Sequence, residues 1–223
     1  MTLEREKVRC RALSSALALM DEGGLEAVQA RAITKDVGVS VGTLYNIFGS
    51  LDELLEELCA GVLSEFSNFS AKMAANPDRT LKRQIQTSVD DDLARQYSGY
   101  RELLERFLML ANVYISFVER FERRWIAVLA FNRDREEDAA AGWYVEQQDV
   151  LFDLIGDILN RTSLGQDPQI RRTAARALWS GVHGIVTMGY IGQITPKTRE
   201  NIWNQIVLLV SYFVIGLLTR ESD

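Results

Sequence analysis

Histidine, cysteine and proline are scarce in this chain, whose 223 residues include one histidine, two cysteines and three prolines. A single histidine excludes a two-histidine metal site, and Cys10 and Cys59 are too few for a zinc finger built from this chain alone. The cysteines form no CxxC pair, which favours a reducing compartment. The sequence therefore predicts no metal and no cofactor.

Positive charge is not in excess either, because 31 acidic residues outnumber 25 basic ones and give a net charge of −6. This balance excludes a uniformly basic nucleic-acid-binding protein, but it leaves room for a local DNA-reading surface. The hydrophobic share of 47% is ordinary for a globular protein. A chain of this length can bury enough surface to fold without disulfides or a metal.

Long apolar runs are missing as well. The first residues, MTLEREKVRCR, lack the apolar core of a secretory signal. The most apolar stretch, residues 206–218, is shorter than the roughly 20 residues that a membrane-spanning helix needs. We expect a buried helix there and a cytoplasmic protein without a membrane partner.

Apolar residues recur with helical spacing almost throughout, and no alternating strand pattern occurs. The spacing predicts an all-α fold of about nine helices, with a possible break inside the sixth. A capping box at Ser50–Glu53 opens the fourth helix, and Pro168 and Pro196 each mark a first helical position. The predicted helices span residues 3–22, 29–36, 40–47, 50–75, 80–97, 100–132, 137–161, 168–190 and 197–219.

Residues 28–48, VQARAITKDVGVSVGTLYNIF, carry the most specific signal. Two short helices flank a tight turn at residues 37–40, in which Gly38 can adopt the left-handed conformation and Ser40 can cap the second helix. A shared core with the first helix is predicted for Ile33, Val37, Leu44 and Phe48. This pattern is typical of a helix-turn-helix motif, in which the second helix can enter the major groove of DNA.

The stretch GVSVGTLYNIFGSLDELL resembles the signature of the tetracycline-repressor (TetR) family of transcription regulators, and the match extends over residues 7–58. A weaker match, residues 177–184, is similar to a Trp–His–Gly segment in one subgroup of TetR C-terminal domains. The resemblance implies a helix-turn-helix DNA-binding domain at residues 1–55 and a C-terminal ligand-binding and dimerisation domain at residues 56–223. It also implies a ligand-responsive regulator, most often a repressor, that binds a palindromic operator in double-stranded DNA as a homodimer.

Family positions carry over to the two short helices of the motif. The resemblance implies that Ser40, Thr43 and Tyr45 contact phosphates or bases and that Arg31 reads a base. The thin face at Gly42 and Thr43 allows close approach to DNA. The full DNA-binding set is Gln29, Arg31, Ser40, Val41, Gly42, Thr43, Tyr45 and Asn46.

The chain departs from the family pattern at two phosphate-contacting positions. Ile47 stands where a histidine is common, and Leu51 stands where a lysine is common. Residues 1–50 also hold six bases and six acids, so only a local positive edge on the first two helices remains. These departures motivate one alternative, a helical small-molecule carrier or co-regulator that has lost operator binding. An all-α enzyme is a second alternative, which the missing histidine, cysteine and glycine-rich motifs disfavour.

The C-terminal part is rich in aromatic residues at helical spacing. They are interpreted either as core or as the wall of a cavity for an apolar or aromatic effector, oriented by Asn112, Gln147 or His183. The candidate ligand-binding residues are Phe107, Tyr114, Phe117, Phe121, Trp125, Gln147, Trp179 and His183. A wide apolar face near the C-terminus predicts the dimer interface at Ile202, Ile206, Leu209, Val210, Phe213 and Leu217.

Overall fold

Eleven α-helices and no strand make up the parts of the chain that the computed structural model describes, which are residues 3–75, 79–133, 142–162, 166–190 and 198–219. The side chains of residues 71, 74–75 and 142–148 lie outside this description. The all-α prediction is confirmed. The helices are α1 (Leu3–Gly23), α2 (Ala30–Val37), α3 (Val41–Phe48), α4 (Leu51–Ala75), α5 (Arg79–Ser88), α6 (Asp91–Gln96), α7 (Tyr100–Arg120), α8 (Glu122–Arg133), α9 (Gly142–Leu159), α10 (Pro168–Tyr190) and α11 (Arg199–Thr219), with a 3-10 turn at Leu25–Ala27 after α1.

The two additional helices come from breaks within predicted segments. Asp90 ends the predicted helix 80–97 early, because its carboxylate accepts hydrogen bonds from the amides of Asp92 and Leu93 and so caps α6. Phe121 separates α7 from α8, although its own amide still bonds back to the carbonyl of Phe117 at 2.9 Å. The second break is therefore a bend within a nearly continuous helix.

The helices form two compact units, one spanning Met1–Asn68 with Phe117–Val145 and the other Phe69–Ser116 with Glu146–Asp223. The first unit holds the three N-terminal helices, the start of α4 and all of α8. Its core includes residues that are fully buried on α1, α2, α3 and α4. These are Ala12, Ala16, Met20, Ile33, Leu44 and Leu54.

The second unit is built around α7, α10 and α11. Two glycines let α10 and α11 approach closely: a Cβ on Gly181 would lie 2.7 Å from Leu209, and one on Gly189 would lie 2.7 Å from Ile202. The indole nitrogen of Trp203 donates to the hydroxyl of Ser88 at 3.1 Å and ties α11 to α5. This bond satisfies the indole N–H of a tryptophan that is only 3% exposed.

Within the described ranges, α11 is the one helix long and apolar enough to span a membrane, with a mean hydropathy of 1.8. Its inward stripe is buried against the chain's own helices, as in the core helix of a folded unit. The buried residues are Ile202, Trp203, Ile206, Val210, Val214, Leu217 and Leu218.

Candidate functional site

The turn between α2 and α3 has the predicted geometry. Gly38 ends α2 in the left-handed conformation, with φ 75° and ψ 36°, and its amide donates to the carbonyl of Thr34 at 2.9 Å. Only glycine adopts this φ without steric cost. Ser40 then caps α3, because its hydroxyl accepts from the amide of Thr43 at 3.0 Å.

The inner face of this motif also agrees with the sequence prediction. Ile33 and Val37 of α2 and Leu44 and Phe48 of α3 are all buried. The spacing of these four residues fixes the angle between the two helices, since each pair projects to the same side of its helix. The opposite side of α3 is consequently left to solvent.

That outer face is polar, thin and accessible. Gln29, Arg31, Ser40, Gly42 and Asn46 are exposed, and the Tyr45 side chain is 39% exposed. Two further predicted contacts, Val41 and Thr43, are half-buried. All eight predicted DNA-binding residues thus lie on α2, on α3 or at the N-cap of one of them, and none is buried.

Gly42 is the most informative residue on this surface. It is the second residue of α3, and a Cβ built on it would meet only the Ser40 hydroxyl, at an ordinary 3.7 Å. Glycine inside a helix is destabilising by roughly 0.5–1 kcal/mol relative to alanine. No packing contact within the described part of the chain explains why the helix carries a glycine here.

Arginines of α1 hold the ends of both helices of the motif, which the sequence reasoning missed. Arg11 donates to the carbonyl of Val37 at 2.6 Å, and Arg5 donates to the carbonyl of Asn46 at 2.6 Å. Guanidinium groups suit these positions because the last carbonyls of a helix carry partial negative charge. The signal available in the sequence was the series of basic residues on the first helix, which was interpreted only as part of a local positive edge.

Acidic partners offset part of the positive charge of the N-terminal helices. Arg9 forms an ion pair with Glu57 and lies over the ring of Phe48, 5.5 Å from its centroid. Arg31 and Lys35, both exposed on α2, are free of ion pairs within the described residues. The expected local positive edge therefore comprises Arg31 and Lys35 on α2 together with Arg5 and Arg11 on α1, which are exposed and keep their charge because a carbonyl acceptor is neutral.

A second arginine cluster joins α8 to α1 and α4 within the same unit. Arg124 makes a bidentate contact with Asp21, both distances being 2.6 Å, and contacts Glu65 at 2.6 Å. Its guanidinium also lies over the ring of Phe121, 4.8 Å from the centroid. The hydrogen bond to Asp21, together with Glu65, raises the pKa of Arg124.

The aromatic residues predicted to line a cavity are divided between the two units. In the first unit, Phe117 contacts Phe121 and Trp125, with ring centroids 5.0 and 6.0 Å apart. Phe66 of α4 completes this cluster at 5.0 Å from Phe117. Aromatic residues at these distances pack edge to face or tilted, which is typical of a core.

In the second unit, Tyr114, Trp179 and His183 form a cluster of aromatic rings around a polar centre. The Tyr114 hydroxyl lies 2.8 Å from His183 Nδ1, and Thr187 Oγ1 lies 3.4 Å from Nε2. The Trp179 ring stacks on His183 with centroids 5.4 Å apart. Burial lowers the pKa of His183, so the imidazole is neutral at pH 7.

Other candidate ligand residues of this unit have separate contacts. Phe107 packs against Phe213 of α11 at 5.9 Å. Asn112, which was considered as an orienting group, accepts from Arg199 at 2.6 Å, and burial lowers the pKa of that arginine. The side chain of Gln147 lies outside the described residues.

The predicted dimer-interface residues mostly point into their own unit. Ile202, Ile206, Val210 and Leu217 are buried in the single chain, and Leu209 and Phe213 are half-buried. A helix that is apolar on more than one side gives no sign of which side faces inward. The large apolar side chains that α10 and α11 leave in solvent are Ile170, Met188, Leu208 and Tyr212, which are 41%, 51%, 60% and 68% exposed.

Two family models match this chain. Residues 12–58 match the model described as "Bacterial regulatory proteins, tetR family", and residues 107–209 match the "Tetracyclin repressor-like, C-terminal domain". The second match includes residues 177–184, although it does not assign the Trp–His–Gly subgroup, which stays a prediction.

Individual proteins give a consistent picture. The HTH-type transcriptional repressor KstR of Rhodococcus jostii (strain RHA1) is 38% identical over 78 residues, which are 35% of this chain and 35% of KstR. The chain thus spans about a third of that curated relative. A protein of unknown function from Rhodococcus sp. RHA1 has a similar fold, with a TM-score of 0.62 at 19% identity and 95% of each chain covered. So does a TetR-like transcriptional regulator from the same source, with a TM-score of 0.55 at 18% identity and 96% of each chain covered.

Proposed function

Because this chain belongs to the TetR family of bacterial regulatory proteins, we propose that it is a cytoplasmic, ligand-responsive transcription regulator. It binds a palindromic operator as a homodimer and acts as a repressor that a small apolar or aromatic effector releases. Each subunit presents α3 to one half-site, and the two half-sites lie about 34 Å apart, one turn of DNA.

The observation that carries this proposal is the outer face of α3. Gly42 has no packing role there, and Tyr45 and Asn46 are exposed beside it. A helix that gives up stability for a thin surface is expected where another molecule approaches closely. The hydroxyls of Ser40, Thr43 and Tyr45 supply phosphate contacts, while Arg31 supplies a base contact.

A gel-shift assay tests this function directly. The full-length protein should bind DNA fragments from beside its own gene. This binding should persist in the presence of non-specific competitor DNA, and its affinity should fall as the salt concentration rises. Tyr45→Phe should weaken binding by about 1–2 kcal/mol on all sequences, through a lost phosphate hydrogen bond. Arg31→Ala should instead relax the preference at one base pair per half-site, at about 1–3 kcal/mol.

The assay also separates the proposal from the carrier alternative. Ile47 and Leu51 are half-buried and offer no phosphate contact, which is the observation that favours a carrier. A carrier would bind its small molecule while leaving every DNA fragment unshifted. If neither Tyr45→Phe nor Arg31→Ala alters DNA affinity, operator binding through α3 is refuted.

Dimerisation is proposed through the exposed apolar residues of α10 and α11. A second copy would cover the large apolar side chains exposed on these helices, which are Ile170, Met188, Leu208 and Tyr212. Tyr212→Glu should give a folded monomer in sedimentation, since this side chain has no core role. Val210→Glu places a charge in the chain's own core and should unfold it instead. A Tyr212→Glu protein that stays dimeric would remove this face from consideration.

The effector is proposed to bind in the C-terminal domain, where Tyr114, Trp179 and His183 combine flat apolar surface with hydrogen-bonding groups. Thermal unfolding across a panel of apolar aromatic compounds tests this. Trp179→Leu should abolish stabilisation by the effective compounds and keep DNA binding. A panel without any stabilising member, at concentrations well above micromolar, would refute the proposed effector class.

A further inference from the structure

A groove of about 390 Å³ lies between α1 and the end of α2 in the first unit. On the α1 side, residues 11, 15 and 18 follow the i, i+4, i+7 spacing of one helical stripe, and residues 10 and 14 form the neighbouring stripe. Its volume is within the range of small-molecule sites, which begins at about 300 Å³. The lining residues are Cys10, Arg11, Ser14, Ser15, Ala18, Asp36 and Val37.

Ser15 is the first indication that the groove takes a ligand. The residue is only 6% exposed, and its hydroxyl has no hydrogen-bond partner among the residues that the structure describes. A buried hydroxyl without a partner costs free energy, so such groups are nearly always satisfied. A polar group entering the groove would satisfy this one.

Cys10 is the second indication. Its thiol is free and the residue is exposed, whereas the other cysteine, Cys59, is fully buried. Thiol–disulfide exchange requires access to the attacking sulfur. The two cysteines therefore differ sharply in their availability for reaction.

The groove also carries one group of each charge. Arg11 contributes a guanidinium, one of whose N–H groups is committed to the carbonyl of Val37. Asp36 is exposed and has no ion pair among the described residues. A molecule with both a carboxylate and an ammonium group would complement this pair.

We propose that Cys10 is a site of reversible mixed-disulfide formation with a small zwitterionic thiol, whose body occupies the groove. The Cys10 thiolate attacks one sulfur of the corresponding low-molecular-weight disulfide. A bond forms between Cys10 Sγ and that sulfur, and the original disulfide bond breaks. The second thiolate leaves and takes up the proton that Cys10 released, so the small disulfide is the only oxidant required.

Mass spectrometry of the intact, folded full-length protein tests the site, with oxidised glutathione as the probe. One glutathione moiety per chain is expected on the wild type and on Cys59→Ser, and none on Cys10→Ser. Dithiothreitol should remove the adduct. Absence of an adduct on the wild type, or an adduct that persists in Cys10→Ser, would overturn the proposal.

The rate of mixed-disulfide formation distinguishes a groove that binds the probe from a thiol that is merely accessible. Asp36→Asn should slow modification by oxidised glutathione about two- to fivefold, as expected for one solvated ion pair, and leave the rate with neutral hydroxyethyl disulfide unchanged. Repulsion of the acidic probe by Asp36 would have the opposite sign. Ser15→Ala should likewise slow only the glutathione reaction.

Equal effects of these substitutions on both probes, or no effect on either, would mean an adventitious surface thiol only. None of these measurements involves DNA, so their outcome is independent of the proposed regulatory function.

Discussion

Replacing Gly42 by alanine should raise the stability of the protein and weaken its DNA binding at the same time. The added methyl group meets only the Ser40 hydroxyl, at 3.7 Å, so no clash within the chain opposes it. Alanine is favoured over glycine in a helix by roughly 0.5–1 kcal/mol. For a chain of this size, that gain corresponds to about 1–4 °C in the midpoint of thermal unfolding.

The loss in DNA affinity follows from the same methyl group. If α3 lies against the major groove with Gly42 inward, the methyl occupies space that the DNA needs. Inserting such a group into a close-packed contact typically costs about 1–3 kcal/mol, which is about 5- to 150-fold in the dissociation constant. Fluorescence anisotropy with a labelled operator fragment measures this loss, and calorimetry measures the stability.

Gly61→Ala provides the matched control. Gly61 is an exposed glycine inside α4, and a Cβ built on it meets nothing within 4 Å. This substitution should give a similar gain in stability and leave DNA affinity unchanged. The reasoning is refuted if Gly42→Ala binds the operator as tightly as Gly61→Ala does.

Three further changes test the described contacts. Gly189→Ala should cost about 1–3 kcal/mol in urea denaturation, because the new Cβ would lie 2.7 Å from Ile202. Gly184→Ala, whose Cβ has open space, should instead stabilise α10 by roughly 0.5–1 kcal/mol, and equal effects of the two substitutions would contradict this packing. Arg124→Met should lower the free energy of unfolding by about 1–2 kcal/mol, a value between those of exposed and buried ion pairs, and an unchanged unfolding midpoint would rule out a structural role. Because burial holds the pKa of His183 below its usual range, the folded state resists protonation and stability is lost as pH falls below about 6.5. The stability difference between wild type and His183→Gln should therefore be constant above pH 7.5 and shrink below pH 6.5, and a difference that does not change with pH would contradict a neutral, buried imidazole.

Local chemistry made the helix-turn-helix motif predictable. Gly38 and Ser40 specify the end of one helix and the start of the next through groups within three or four residues, so their roles follow from sequence alone. The buried set Ile33, Val37, Leu44 and Phe48 follows from helical periodicity in the same way.

Other features depended on which elements meet in space. The helical spacing of the aromatic residues suggested that most of them share one side of a long helix and one environment. In the structure they have different partners, since Phe107 packs on Phe213 and Tyr114 packs on Trp179. Periodicity tells which residues share a side of a helix, but it does not identify the helix that covers them. Likewise, the contacts of Arg5 and Arg11 could not be predicted, because their carbonyl partners lie 41 and 26 residues away along the chain.

The sequence by itself determined the all-α class, the turn that positions α3 and the polar face of that helix, because each depends on interactions within one or two turns of helix. Only the tertiary structure decided which side of α11 is core and which arginines of α1 hold the ends of α2 and α3. Val210 is buried while Tyr212 is exposed on the same apolar helix, since burial is set by neighbouring helices and not by the residue's own hydrophobicity.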